Sequence, residues 1–285
     1  MKQSIAPIAL FAISIAMHAQ EVILPVSKEK NQLVDLAQYA ADDIVLSTVT
    51  TGIYQPFAAI KNRLQQGLPI DWRPSVLYRG GSSTLQGMMA STALQPPIKH
   101  IIEYLIPGDK TAYTQFAAAA LAGGASALTA APFELMMIQR QKNSASSQEI
   151  IKKIIMPQGI KTAWRGLPVT ALREGGFSVG YLALTDIIAS YLTNSDNPVV
   201  KSIVGGVPAG IIAALSTHPF DTIKTRMQTN LDQPKYKTAS STLITIVQKD
   251  GIKGLYAGVV PRMTACALLI PVMSYTANKL KSLHE

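Results

Sequence analysis

The sequence predicts an all-α membrane protein with six transmembrane helices, arranged as three copies of a two-helix unit. Three observations predict it. Of the 285 residues 48% are hydrophobic and only 15% charged, where soluble domains carry about 25% charged residues. Apolar runs are long, as over residues 116–131 and 199–215. One eleven-residue frame occurs three times, and an aromatic–x–Gly landmark follows it each time.

The first frame runs from Gln55 to Gln65, the second from Ala131 to Gln141 and the third from His218 to Gln228. Each has Pro in second place (Pro56, Pro132, Pro219), then Phe, and Gln nine residues after the Pro. The prolines lie 76 and 87 residues apart, and a period of this kind is the signature of a repeat architecture. The landmarks are Tyr78-Arg79-Gly80, Trp164-Arg165-Gly166 and Tyr256-Ala257-Gly258. Each Gly opens a further apolar stretch, as a helix start does.

Helices are expected near 37–66, 81–106, 113–142, 167–193, 199–229 and 259–283. Ser, Thr, Gly and Pro interrupt nearly all of them, so none is a uniform block of about 20 apolar residues. Such segments suit helices with one face on neighbours or on a wet cavity. Short amphipathic helices are expected near 147–155 and 239–249. The first repeat is about ten residues shorter there, and Asp71–Pro74 argues against a regular helix. The boundaries that follow are an N-terminal extension over 1–35 and repeats over 36–110, 111–197 and 198–285. Residues 20–35 are polar and look like a linker. Lys2, the apolar stretch Ile5–Ala16 and the small-residue end at Ala19 fit a secretory signal or an uncleaved extension.

Composition also excludes function classes. The net charge of +9 suits interfacial Lys and Arg on anionic lipid and anionic solutes in a basic cavity. No aromatic-plus-basic nucleic-acid module is present. Cys266 is the single cysteine and the four histidines are scattered, which leaves no disulfide and no metal site. There is no phosphate-binding Gly-rich loop and no activated-serine arrangement, so neither an enzyme nor a cofactor is expected.

The frames and landmarks resemble the mitochondrial carrier family, whose repeat carries Pro-x-acid-x-x-base and later an aromatic-basic-Gly. The resemblance covers about residues 36–285. It implies six helices around a central cavity with threefold pseudosymmetry, short matrix-side helices, and alternating access across the mitochondrial inner membrane. A monomer is implied as well. Proline inside a helix removes a backbone hydrogen bond and kinks it. Three kinks at one depth, at Pro56, Pro132 and Pro219, would let the odd helices converge.

In the family the acid of one odd helix pairs with the base of the next. Here Ala58 replaces the first acid and Met137 the second base, so both members of a single bridge are missing. The matrix gate is then expected to hold two bridges, Glu134–Lys224 and Asp221–Lys61. On the opposite side the corresponding stretches offer His100 and Glu103, Asp186 and Ala189, and Asn278 and Lys281, so at most one pair forms. Gly80, Gly166 and Gly258 are implied lipid sites, with cardiolipin as partner, because free N–H groups at a helix start bind phosphate.

By the same resemblance, solute contacts fall seven and eight residues after each landmark Gly: Gly87-Met88, Arg173-Glu174 and Ala265-Cys266, with Arg262 nearby. An intramembrane Arg or Glu is costly and by default functional; the alternative is an Arg–Glu pair neutralising itself between helices. An Arg-acid pair points to amino-acid-like solutes, including amino-acid-derived cofactors. The whole chain also resembles carrier-like nucleotide transporters that intracellular bacteria deliver to host mitochondria. Weighing both places ATP or a related nucleotide first and an amino-acid-like solute second. A non-transporting membrane adapter on the same fold is the reading from another class.

Overall fold

The computed structural model describes the backbone of residues 29–105 and 112–284, with side chains described from Ser47 to Thr276 apart from 92–94, 96–97, 100, 103–104 and 106–112. Six long helices dominate it. They are α1 (Glu29–Gln65), α2 (Gly81–Leu105), α3 (Ala112–Asn143), α4 (Leu167–Val179, continued through Gly180–Leu184 into Thr185–Leu192), α5 (Pro198–Thr229) and α6 (Val259–His284). No strand occurs among the described residues. By length and composition α3, α5 and α6 are apolar enough to cross a membrane.

Pro56 lies inside α1, Pro132 inside α3 and Pro219 inside α5, so each odd helix lacks one ladder hydrogen bond at the corresponding place. The connecting segments differ between repeats. The third has a regular helix, Ala239–Asp250, started by a Thr238–Ser241 capping box. The second runs from Ser147–Ile150, capped by Ser146 and Glu149, through a wide π-helical turn at Ile151–Ile155. The Ser146 backbone N–H donates to the Glu149 carboxylate, which holds that acid below its ordinary range. The first has a single turn, Pro74–Leu77. Ahead of it Arg73 donates to the Asp71 carboxylate and holds it down to about 2.

Two expectations need correction. Helix α1 begins at Glu29, so residues 29–35, read as linker, are helical; Glu29, Lys30 and Gln32 have good helix propensity. Helix four is not uniform, because residues Gly180–Leu184 form a π-helical turn. Thr185 Oγ1 donates to the Gly180 carbonyl at 2.9 Å, and a side-chain donor inserted in the ladder is a recognised cause of such a turn. Residues 1–28 of the signal-like extension lie outside the described residues.

The burial pattern departs from that of a soluble bundle, although apolar clusters such as Tyr181, Leu182, Ala213 and Ile270 are also buried. Leu121, Leu172, Ile203 and Val260 face outward, Val260 with 69% of its surface exposed. Lys61, Arg173, Glu174, Asp221, Lys224 and Arg262 face inward, all under 10% exposed. Apolar outside and charged inside is the arrangement for a surround of lipid tails.

The landmark glycines close the ring. Gly80, Gly166 and Gly258 have φ of 85°, 80° and 78°, a region open to glycine without strain. Each also abuts the next repeat's odd helix at its base position. A Cβ on Gly80 would lie 3.1 Å from the Met137 carbonyl oxygen, one on Gly166 3.9 Å from Lys224 Cγ, and one on Gly258 3.0 Å from the Lys61 carbonyl oxygen. Repeat one thus meets two, two meets three, and three returns to one. Gly258→Ala should lower the apparent melting temperature in detergent more than Gly67→Ala, whose φ is also positive, at 72°, but whose Cβ meets nothing within 4 Å. Equal losses would mean that the backbone conformation alone matters.

Candidate functional site

The convergence of α1, α3 and α5 brings the repeat acids and bases together. Lys61 Nζ lies 2.8 Å from Asp221 Oδ2, and Lys224 Nζ lies 2.6 Å from Glu134 Oε2. Both pairs join an odd helix to the next. Ala58 and Met137, at the corresponding positions of the α1–α3 seam, are both buried. That seam instead carries a neutral bond, Asn62 Nδ2 donating to Gln141 Oε1 at 2.6 Å.

Two arginines of the even helices join this cluster. Arg173 Nη2 donates to both Glu134 Oε1 and Glu174 Oε1, and its Nε lies 3.7 Å from Asp221 Oδ1. Arg262 donates to the Thr217 carbonyl at 3.2 Å and to the Thr217 hydroxyl, and stands 3.7 Å from Asp221 Oδ2. Four cations therefore share three carboxylates in a buried network. Gln95, unforeseen in the sequence, extends it to α2, donating to Ser126 Oγ at 2.7 Å and Glu174 Oε2 at 3.4 Å and accepting from the Tyr181 hydroxyl.

The frame's glutamines also act between repeats. Gln65 Nε2 donates to Asp221 Oδ2 at 2.9 Å and Thr222 Oγ1 at 3.1 Å. Gln228 Nε2 donates to the Arg165 carbonyl and Gln141 Nε2 to the Arg79 carbonyl, each ahead of a landmark Gly. The residue before the Pro contributes too. Gln55 donates to the Arg79 carbonyl at 2.8 Å, and His218 Nε2 lies 2.9 Å from the Ala257 carbonyl. The signal was present in the sequence, since two of the three frames begin with a polar residue.

A cavity of about 90 Å³ lies directly against this network. Gly87, Met88, Arg173, Glu174, Cys266 and Arg262 all line it, together with Tyr54 and Gln95. The volume has room for roughly half a dozen waters. Ala265 is fully buried and does not line it. On the opposite side Asp186 is exposed near the end of α4. The side chains of His100, Glu103, Asn278 and Lys281 lie outside the described residues. No cluster of metal-ligating residues occurs among the described residues.

A family model described as "Mitochondrial carrier protein" matches residues 108–196 and 195–284, the second and third repeats. The chain belongs to the mitochondrial carrier family. Among curated relatives, this carrier chain is 31% identical over 196 residues to "Mitochondrial substrate carrier family protein X" of Dictyostelium discoideum, covering 66% of the chain and 65% of the relative. It is 28% identical over 187 residues to a mitochondrial glutathione transporter of Danio rerio, covering 59% and 53% respectively. It is 26% identical over 224 residues to a probable chloroplastic S-adenosylmethionine carrier of Arabidopsis thaliana, covering 73% and 63%. The chain spans just under two thirds of these relatives' length or less. Within this family frame the shortened first connection and Ala58 set the first repeat apart, while Met137 is the departure in the second.

Proposed function

We propose that the chain is a solute carrier of the mitochondrial inner membrane, working by alternating access on a small solute that bears both a carboxylate and an amino group. The observation that carries this reading is the cavity's mixed charge. Arg173 offers a guanidinium to a carboxylate, while Glu134 and Glu174 offer acceptors to an ammonium within the same space. A polyanion would meet those two carboxylates as well as the arginines. Relatives named for glutathione and S-adenosylmethionine carry such groups. This reverses the order drawn from the sequence.

A nucleotide is the second reading, favoured by Gly87 and Met88 lining the same cavity beside Arg262. In either case the Lys61–Asp221 and Glu134–Lys224 pairs act as the matrix gate. The helix starts at Gly80, Gly166 and Gly258 offer N–H groups to lipid phosphate such as that of cardiolipin, and one chain suffices for the pathway.

The test is uptake of labelled amino-acid-type solutes and of ATP by vesicles holding the purified protein, with and without internal solute. Saturable uptake of the former, reduced at least tenfold in Arg173→Ala, is expected. Uptake of ATP alone would restore the nucleotide reading. No uptake of either, by protein that melts cooperatively, would favour a membrane adapter.

A further inference from the structure

We infer that Arg173 is itself a clasp of the matrix gate, tying the acids of α3 and α5 together from α4, and that a solute must compete with the gate for this one side chain. The inference rests on the gate assignment made above and adds a role to Arg173 beyond solute contact.

The geometry is specific. One guanidinium from α4 reaches Glu134 on α3 through Nη2 and approaches Asp221 on α5 through Nε at 3.7 Å. It therefore touches both acids of the gate, whereas Lys61 and Lys224 each pair with one. Glu134 divides its two oxygens between Arg173 and Lys224. Removing Arg173 would leave Glu134 with Lys224 alone and Glu174 without an ion pair among the described residues. The side chain is 9% exposed, so these contacts are poorly screened by water.

The position also explains how occupancy of the cavity could be sensed. Arg173 lines the cavity, so a solute carboxylate that takes its donors draws them away from Glu134. The acid then retains only Lys224. Occupancy and gate strength are opposed through one residue, with no intervening relay.

Thermal unfolding of the ligand-free full chain in detergent tests this without any transport measurement. Arg173→Gln is expected to lower the apparent melting temperature by about 5–10 °C. The losses from Arg173→Gln and Glu134→Gln should be strongly non-additive in the double variant. Arg173→Lys, which keeps charge but not the two-way reach, should recover less than half of the Arg173→Gln loss. An unchanged melting temperature in Arg173→Gln, or additive losses with Glu134→Gln, would overturn the inference. Failure of uptake in vesicles would remove the transport reading but leave this cycle to judge the clasp.

Discussion

Replacing Asp221 with Ala should give one of the largest losses of stability of any single substitution in the chain. Lys61 at 2.8 Å, Gln65 at 2.9 Å, Arg262 at 3.7 Å and Arg173 at 3.7 Å all converge on this carboxylate, which is 1% exposed. Breaking a buried pair by removing one partner costs about 3–5 kcal/mol, because the other charge is left uncompensated. The apparent melting temperature should therefore fall by about 6–20 °C. The exposed acid Asp196, 3.5 Å from Lys201, is the comparison, since surface pairs contribute little. If Asp221→Ala and Asp196→Ala melt alike, the buried network does not hold the odd helices together.

The second large effect is steric. A Cβ on Gly205 would fall 2.1 Å from the Thr185 carbonyl oxygen and 3.0 Å from Ala189 Cβ. Neither neighbour is a flexible side-chain end, so α4 and α5 would have to separate. Gly205→Val should prevent recovery of folded protein from membranes, beyond the about 1–3 kcal/mol usual for overpacking. Gly52→Ala, on α1 with nothing within 4 Å, should be neutral or stabilising by about 1 kcal/mol. Normal yields of Gly205→Val would show that the α4–α5 contact can relax.

Much of this architecture was legible because repetition converts spacing into depth. Once Pro56, Pro132 and Pro219 are aligned, the residues two and five places on must lie at one level, and the resemblance to the carrier family implies which acid meets Lys61 and which meets Lys224. Arg173 was legible as a charge in an apolar helix and Glu174 as an alternative partner for it, but Glu134 and Asp221 were not. Its reach to Glu134 depends on how closely α4 approaches α3 and α5. That distance is set by Gly123 against the Glu174 carbonyl, Gly175 against Ala120 and Gly176 against Thr217. A glycine in a helical stretch signals close approach without naming what approaches. The start of α1 and the π-helical turn at Gly180 were likewise invisible, because propensity blurs helix ends and the turn answers to a local Thr185 hydroxyl.

The cyclic contacts of Gly80, Gly166 and Gly258 have a historical consequence. Three like seams around an axis are what three separate copies of one two-helix ancestor would form as a ring. In such an assembly every sequence change is made three times over, so a charged pair is either kept everywhere or lost everywhere. Fusion into a single polypeptide removes that constraint. The neutral seam at Ala58 and Met137, beside two charged ones, is a change that three identical copies could not make.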